Sequence, residues 1–345
     1  MNEFPYLTYR KRKLNYAHRL VPTGRFGTMT LTVPYTNTTV LAHRFDTFAD
    51  WCPYNFDMNN KAQYYHEFDI PKRNGGVRHI KEPLGDMKCA QRSICNKLKY
   101  QLQVLPHDCA HGFVKKRSCK TAMIRHQEAQ SRWFVKFDLH NFFPSCSKEM
   151  VVEAFKNIAQ LRYTMSEELM NQVADVLTDE TGHLTQGCVS SPYIANLILL
   201  DFDVKLNEYC EHNHLTYTRY ADDLCISGQY QFDWKAISRK IQEWLPEGIY
   251  MNFEKTKYTS YNQENIFLGI HYNQEMNLTV GYKTKKLMKV IAYKARLGQI
   301  PEEQLPTWKG RLAYYKAIEP EYFNSEVFNM ERDYDVFDDD ELPFN

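Results

Sequence analysis

Two adjacent aspartates interrupt an apolar segment in the second half of the chain. The segment YTRYADDLCIS, residues 217–227, consists mainly of residues that favour a half-buried strand, to which aspartate is poorly suited. Asp222 and Asp223 would repel each other unless a partner neutralises them, and the usual partner is a divalent cation. The alternative is a hairpin turn, since Ala-Asp-Asp is good turn composition. The motif is too short to decide between the two interpretations.

A second acidic residue ends an apolar strand near the middle of the chain. Asp138 lies in WFVKFDLHNFFPS, residues 133–145, and a helix cap at the strand end would be its simplest role. If this strand end lies beside the hairpin of Asp222 and Asp223, three carboxylates converge. Oxygen ligands suit Mg²⁺, with Mn²⁺ as the alternative ion, and two such ions would support in-line phosphoryl transfer.

The composition fits a globular protein with a polyanionic partner. The 345 residues are 43% hydrophobic, which is enough for a large core. Residues 1–120 hold 20 Lys and Arg against 9 Asp and Glu, which predicts contact with nucleic acid. Residues 321–345 hold one Arg against nine acids, and this tail is either a solvated end or a mimic of nucleic acid.

The location of the protein is predicted from segments that the sequence lacks. It contains neither an apolar run of membrane-spanning length nor the apolar core of a secretory signal. Its nine cysteines are scattered and never spaced as CxxC, as expected of reduced thiols. We therefore expect a cytoplasmic protein that does not contact a membrane.

The elements that must position the aspartates are a mixture of helices and antiparallel hairpins, which predicts an α+β fold. Residues 64–83, YYHEFDIPKRNGGVRHIKEP, form a hairpin pattern with a glycine-rich turn. Ser147 and Ser166 are predicted helix N-caps. Helices are predicted over 87–102, 119–131, 147–160, 166–178, 191–210 and 233–245, with two basic helices after residue 282.

Several motifs in order resemble those of reverse transcriptases. FDLHNFF, LTQGCVSSPYIAN and YADD are similar to motifs A, B and C, in the form found in bacterial retron and group II intron enzymes. IPKRNGGVRHI resembles the fingers hairpin, AHGFVKKRSCKTA the next motif, NFEKT and FLGI motifs D and E, and WKGRLAYYKAIEPEYF the thumb helix. The resemblance covers roughly residues 66–324.

The resemblance implies the right-hand architecture of a polymerase, with fingers, a palm built on an antiparallel sheet, and a small helical thumb. It divides the chain into an N-terminal extension 1–65, fingers 66–132, a palm 133–277 with a helical fingers insertion 147–180, a thumb 278–324 and an acidic tail 325–345.

The resemblance also assigns catalytic roles. Asp138, Asp222 and Asp223 match the family's metal-binding triad, and the backbone carbonyl of Leu139 is an expected further ligand. Lys255 in NFEKT matches the motif D lysine, a candidate general acid for the leaving pyrophosphate. The alternative for Lys255 is a surface lysine.

Residues of the fingers hairpin are expected to hold the nucleotide. Lys72 and Arg78 lie across the predicted turn and match the family residues that grip the triphosphate. Arg73 and Lys81 are expected either to contact the template or to be solvated charges.

Two further motifs concern nucleotide selection. Phe143 matches the family's steric gate against a ribose 2′-hydroxyl, although either Phe142 or Phe143 must belong to the core. Gln186 and Gly187 match the motif B turn, where glycine would let the backbone approach the nucleotide or template.

The implied activity is RNA-directed DNA synthesis from dNTPs, with an RNA template or primer and nascent DNA as partners. TAMIRH, residues 121–126, resembles the retron NAxxH element with one extra residue before His126, and no VTG element occurs. These departures argue against a branched-RNA-primed retron mechanism. We expect a retron-like or defence-associated enzyme that copies a dedicated noncoding RNA, with a defence effector protein as a further partner. Two alternatives stay open: untemplated or protein-primed DNA synthesis, and an RNA-binding scaffold or toxin partner with incidental polymerisation.

Overall fold

A computed structural model of the chain describes residues 47–324 except 73, 74 and 261, together with the backbone of three earlier strands. The acidic tail 325–345 and much of the N-terminal extension lie outside these residues. Two compact units interleave along the sequence. One comprises Met1–Val114, Leu139–Leu206 and Lys240–Asn252, and the other Lys115–Asp138, Asn207–Arg239 and Phe253–Asn345. The contiguous division into fingers, palm and thumb stays a prediction.

The strands of the described residues pair with antiparallel neighbours. In chain order they are β1 Val21–Pro22, β2 Thr28–Val33, β3 Thr38–His43, β4 Tyr65–Pro71, β5 Val77–Pro83, β6 Trp133–Asp138, β7 Thr216–Tyr220, β8 Asp223–Gly228, β9 Lys257–Thr259, β10 Asn265–Phe267, β11 Ile270–Tyr272 and β12 Leu278–Thr279. They form four sheets, ordered β1-β2-β3, β4-β5, β7-β8-β6-β9 and β10-β11-β12.

Helices occupy most of the intervening chain. The α-helices are Gly85–Asn96, Cys119–Glu128, Phe142–Ser145, Lys148–Asn157, Ala159–Thr164, Glu167–Leu177, Ser191–Ile198, Leu200–His212, Trp234–Trp244, Tyr282–Arg296, Leu305–Ile318 and Pro320–Tyr322. The first continues into a π-helical turn, Lys97–Gln101. Helices combined with antiparallel sheets confirm the predicted α+β class.

The two predicted N-caps, Ser147 and Ser166, are confirmed, and the prediction of one continuous helix over 191–210 is wrong. The hydroxyl of Ser147 accepts a hydrogen bond from Met150 N, and that of Ser166 from Leu169 N. The single helix predicted over 191–210 is divided at Leu199, whose φ and ψ are −86° and 5°. The Leu199 N–H bonds to Leu197 O as well as Ala195 O, and such a tightened last turn ends a helix.

The predicted fingers hairpin is confirmed in the first unit. β4 and β5 pair from Tyr65↔Pro83 to Pro71↔Val77. Gly75 and Gly76, at the tip, have φ of 81° and 83°, a conformation that glycine adopts without a steric penalty. The other turn residues, 73 and 74, lie outside the described part of the chain.

The second unit has a core that joins its two sheets to the last helices. Phe134 of β6 and Cys225 of β8 are fully buried and face side chains of the β10–β11 hairpin. The remaining buried members are Met123, Phe267, Ile270, Tyr272, Leu278, Val280, Met288, Ile318 and Phe323. Burial of each large apolar side chain contributes about 1.5–3 kcal/mol, so this cluster holds the sheet that bears the aspartates.

Within the described residues, no helix has the length and apolar character needed to cross a membrane.

Candidate active site

The three predicted metal-binding aspartates meet at one end of the β7-β8-β6-β9 sheet. Asp138, the last residue of β6, pairs with Asp223, the first residue of β8. Asp222 lies in the two-residue turn between β7 and β8. Directly opposed Cα atoms of antiparallel strands are about 5 Å apart, so the strand register itself brings the carboxylates together. The hairpin-turn interpretation of YADD is therefore confirmed, and this turn positions both aspartates.

The turn is held in a conformation that non-glycine residues rarely adopt. Ala221 has a φ of 56°, in the left-handed region. Such a backbone costs about 1–3 kcal/mol and persists only where its surroundings impose it. Here the fully buried Arg219 donates a hydrogen bond from Nη1 to Ala221 O at 3.0 Å. Backbone strain of this kind is concentrated at functional sites.

Burial and like charges both act on the carboxyl of Asp223 within the aspartate cluster. The pKa of Asp223 is raised to about 7, first because the carboxyl is buried and then because Asp222 and Asp138 repel its charge. Lys255 and Lys136 act in the opposite direction and do not cancel the effect. An additional cation at this sheet end would favour the ionised form of all three carboxyls.

Lys255 is the residue that contacts Asp138. Its Nζ lies 2.9 Å from both Asp138 Oδ1 and Oδ2. The Lys255 side chain is 58% exposed and that of Asp138 only 14%. The hydrogen bond to Asp138 raises the pKa of Lys255, so the lysine is kept as a proton-bearing cation. Sequence reasoning placed Lys255 near the leaving group, and the structure brings it to the triad.

In the described part of the chain, no three His, Cys, Asp or Glu side chains form a ready-made metal cluster. The aspartates share a sheet end, but Asp138 is paired with an ammonium group. Leu139, the other expected ligand, is a buried residue whose backbone continues β6 and forms an isolated bridge with Met251. The bridge bond is made by His140 N to Tyr250 O, so the Leu139 carbonyl is not the acceptor there.

The predicted triphosphate-binding residues occupy one face of the fingers hairpin. Arg78 pairs with Ile70, and Lys72 follows Ile70 by two residues, which places Lys72 and Arg78 on the same side of the ribbon. The Lys72 N–H bonds to Gly76 O at 3.0 Å, so the ladder continues past the end of β4. Both cationic side chains are exposed.

The motif B turn packs on the fingers hairpin, within the first unit. Gln186 O accepts a hydrogen bond from Lys81 N at 2.8 Å. Gly187 has a φ of 111°, and a Cβ there would lie 2.7 Å from both Ile80 Cγ2 and Lys81 O. Only glycine fits this position. The close approach that the glycine permits here is to β5, which the sequence did not predict.

Lys81 is the centre of an ion-pair cluster, so its prediction as a solvated charge is wrong. Its side chain is 18% exposed. The Nζ lies 3.1 Å from Glu67 Oε1 and 3.2 Å from Asp179 Oδ2, and it also pairs with Glu180. Burial would lower the pKa of Lys81, but hydrogen bonds to these three carboxylates raise it above its ordinary value.

The pKa of Asp179 is lowered, whereas that of Asp223 is raised. Burial alone would raise the pKa of Asp179, yet hydrogen bonds from the Thr181 hydroxyl, His183 N and Lys81 bring the pKa below its ordinary value. The buried Lys61 also donates to Asp179 O at 3.0 Å. This cluster connects β5 to the segment before the motif B turn and stabilises their packing.

The two phenylalanines after motif A have different environments. Phe142 is 4% exposed and belongs to the core, whereas Phe143 is half-buried. The Phe143 ring centroid lies 5.5 Å from that of Phe142 and 6.3 Å from that of Phe113. The sequence did not tell which of the two phenylalanines belongs to the core. Phe143 is the ring that retains accessible surface.

His126, in the element that resembles NAxxH, is fully buried in the second unit. Its Nδ1 lies 2.6 Å from Ser227 Oγ and its Nε2 2.8 Å from Thr218 Oγ1. The imidazole therefore connects the helix Cys119–Glu128 to both strands of the YADD hairpin. Sequence reasoning missed this supporting role, for which the polar residues Thr218 and Ser227 inside buried strands are the available signal.

A sequence model of the family described as reverse transcriptase (RNA-dependent DNA polymerase) matches residues 70–272. The chain belongs to the reverse transcriptase family, and it is an RNA-directed DNA polymerase. Family membership agrees with the α+β polymerase fold, and enzymes of this family use divalent metal ions.

The chain is most usefully compared with retron enzymes. It is 27% identical over 268 residues to the retron Ec73 reverse transcriptase of Escherichia coli, covering 74% of this chain and 84% of that protein. It is 30% identical over 279 residues to the retron Mx65 reverse transcriptase of Myxococcus xanthus, covering 76% and 63%. The protein is thus a bacterial retron-like reverse transcriptase.

Among solved structures, the apo telomerase of Candida tropicalis superposes with a TM-score of 0.49 at 13% identity. The match covers 78% of this chain and 59% of the telomerase chain.

Proposed function

We propose that this reverse transcriptase copies a dedicated noncoding RNA into DNA by two-metal phosphoryl transfer, in a retron-like or antiphage defence system. The observation that carries the proposal is the pairing of Asp138 with Asp223 at the sheet end where Asp222 occupies the turn. A one-residue slip of this register would turn the Asp223 side chain to the face opposite Asp138.

The donor set at this sheet end fits Mg²⁺, with Mn²⁺ as the alternative. Three carboxylates and the Leu139 carbonyl provide oxygen ligands without sulfur or imidazole, as hard cations prefer. Asp138 and Asp222 would be the most direct ligands, with Asp223 third. When bound, the two ions would supply a more acidic primer hydroxyl and charge neutralisation at the leaving pyrophosphate.

Lys255 would change partners during the reaction. In the structure its ammonium group pairs with Asp138, a carboxylate that a bound cation would also contact. Once displaced from Asp138, the exposed lysine is free to reach the triphosphate. As the primer oxygen bonds to the α-phosphorus and the bond to pyrophosphate breaks, Lys255 would donate a proton to the departing oxygen.

Lys72, Arg78 and Phe143 are the residues proposed to hold and select the nucleotide. Lys72 and Arg78 present two cations on one face of the hairpin, and an arginine can bind phosphate through two N–H groups at once. The accessible face of Phe143 would exclude a ribose 2′-hydroxyl and so favour dNTPs. Replacement of Phe143 by alanine should then admit ribonucleotides, and unchanged sugar selectivity would disprove the gate.

The RNA partner is inferred from membership of the reverse transcriptase family and from the basic first third of the chain. The defence role is inferred from the departures from the retron NAxxH and VTG elements. Nascent DNA and a defence effector protein are the further partners that this role implies. The test is to purify the protein with its bound nucleic acid, sequence that nucleic acid, and add Mg²⁺ with labelled dNTPs.

A product that matches the co-purified RNA supports templated copying. Product covalently attached to the protein would instead indicate protein priming, and product unrelated to any bound RNA would indicate untemplated synthesis. Equal incorporation by the wild type and the double variant Asp222→Asn, Asp223→Asn would disprove the catalytic assignment and leave the scaffold alternative.

A further inference from the structure

A cavity of about 230 Å³ opens in the second unit, away from the aspartates. Its walls come from Ser131 and Arg132, which directly precede β6, from the loop before β10, and from the turn after β11. Asp138 is at the other end of the six-residue strand β6. At about 3.3 Å per residue the cavity therefore lies about 20 Å from the catalytic carboxylates, and it is not part of that site.

Carboxamide groups dominate the lining of this cavity. The described lining residues include Asn262, Gln263, Asn265, Asn273 and Gln274, whereas Arg132 is the one side chain among them with a full charge at neutral pH. A carboxamide offers both a donor and an acceptor, as the edge of a nucleobase does. A phosphate site would instead be expected to contain several cations. The chemistry of the lining therefore fits a nucleobase better than a phosphate.

Tyr272 gives this cavity a polar group that the protein does not satisfy. The residue is 3% exposed, its ring packs on Phe134 at 5.2 Å between centroids, and its hydroxyl has no hydrogen-bond partner within the described residues. An unsatisfied buried hydroxyl costs about 1–3 kcal/mol and requires an explanation. Burial raises the pKa of Tyr272 to about 12, against the opposing effect of the Arg132 charge, so the hydroxyl is available as a donor.

We propose that this cavity binds one unpaired nucleobase of an RNA. The Tyr272 hydroxyl would donate to an acceptor on the base edge, and the carboxamides of Asn262 and Gln263 would complete the edge. Those of Asn265, Asn273 and Gln274 already bond within the protein and shape the cavity wall. The exposed Arg132 guanidinium would contact the adjacent phosphate. Proteins read RNA sequence mainly from unpaired bases that are turned out of a helix and held on their edges. The proposal rests on the RNA partner of the proposed function, and it gives that RNA a contact remote from catalysis.

The test uses the full-length protein and a random-sequence single-stranded RNA that contains 4-thiouridine, with a fully paired RNA duplex as the comparison. We expect Tyr272→Phe to weaken binding of the single strand by about tenfold, the effect of one hydrogen bond to a buried donor. The same variant should unfold at an unchanged or higher temperature without RNA, because it removes a hydroxyl that had no partner. Tyr230→Phe, at an 82% exposed tyrosine, is the matched control and should change neither quantity.

Photocrosslinks provide the second readout and should map to residues 131–132 and 262–276. Unchanged single-strand binding by Tyr272→Phe would overturn the proposal, as would crosslinks confined to other segments; the hydroxyl would then be satisfied by water alone. Primer extension by the same preparation reports separately on the proposed function. Wild-type protein that crosslinks through the cavity but extends no primer would contradict the polymerase assignment and not the RNA contact.

Discussion

Two lysine–carboxylate clusters, one in each compact unit, differ in the direction in which the pKa of a buried aspartate is shifted. Around Lys81, three carboxylates contact one nearly buried ammonium group, and the pKa of Asp179 is lowered. Beside Asp138, which pairs with the largely exposed Lys255, the pKa of Asp223 is raised to about 7. The two clusters contain similar residue types, but the pKa of their buried aspartate is shifted in opposite directions.

The difference supports a structural role for the Lys81 cluster and the proposed catalytic role for the aspartates. Asp179 accepts hydrogen bonds from Thr181, His183 N and Lys81, which together outweigh its burial. Burial and the charges of Asp222 and Asp138 raise the pKa of Asp223, and Lys255 and Lys136 oppose this shift without cancelling it. A carboxyl whose pKa is strongly raised in this way is a feature of functional sites.

The largest expected contrast is in catalysis. Asp223→Asn should lower the rate of dNTP incorporation by about 10³-fold, since a metal ligand contributes several kcal/mol to the transition state. Asp179→Asn, assayed well below its unfolding temperature, should keep its rate within a few-fold of the wild type. Primer-extension rates per folded molecule provide the measurement, and similar losses in both variants would remove the distinction between the clusters.

The second contrast is in stability. Lys81→Met should lower the free energy of unfolding by about 3 kcal/mol, because it leaves the buried Asp179 carboxylate without its cation. Lys255→Met should cost less than about 1 kcal/mol, since ion pairs of exposed lysines contribute little. Urea denaturation of both variants checks this, and a larger loss for Lys255→Met would reverse the assignments.

How far the sequence could predict these clusters depended on whether their members carry a local signal. Asp138, Asp222 and Asp223 were recognisable because each interrupts an apolar strand pattern, and the pairing of β6 with β8 then brings them together. Lys81 carries no such signal, and its partner Glu180 is 99 residues away. Its pattern in the sequence is only a polar residue on a strand, and the partner segment carries ordinary surface charges.

The other elements also differ in how much local signal they carry. Hairpin and helix starts follow from local residues, such as Gly75 in the turn and Ser147 at an N-cap, and these predictions are confirmed. The break at Leu199 was missed because an unbroken apolar run shows no stop signal. Phe142 and Phe143 are chemically identical in sequence, so only their packing distinguishes the core ring from the accessible one.

The smallest contrast is in how the stability of the metal-free protein depends on pH. The folded-state pKa of Asp223, about 7, exceeds its ordinary value of about 4, so its protonation stabilises the fold. That stability is complete below about pH 4 and is lost as the pH rises through about 7. The melting temperature of Asp223→Asn minus that of the wild type should therefore increase by a few degrees between pH 5 and pH 8.

Asp179→Asn provides the control for this pH experiment. The pKa of Asp179 is lowered, so its contribution is complete above its ordinary value and is lost only as the pH falls through the lowered one. The difference in melting temperature between Asp179→Asn and the wild type should stay constant between pH 5 and pH 8. A pH-independent difference for Asp223→Asn would show that its carboxyl is ionised throughout that range.

The central claim, that the aspartates of the YADD hairpin and motif A hold divalent cations, is tested most directly by metal binding. Mn²⁺ can be titrated into the wild type, Asp222→Asn with Asp223→Asn, and Asp179→Asn, with a dNTP present, and the free ion measured by electron paramagnetic resonance. We expect Mn²⁺ to bind the wild type and Asp179→Asn alike and to be lost from the double variant. Equal binding by all three proteins would contradict the account.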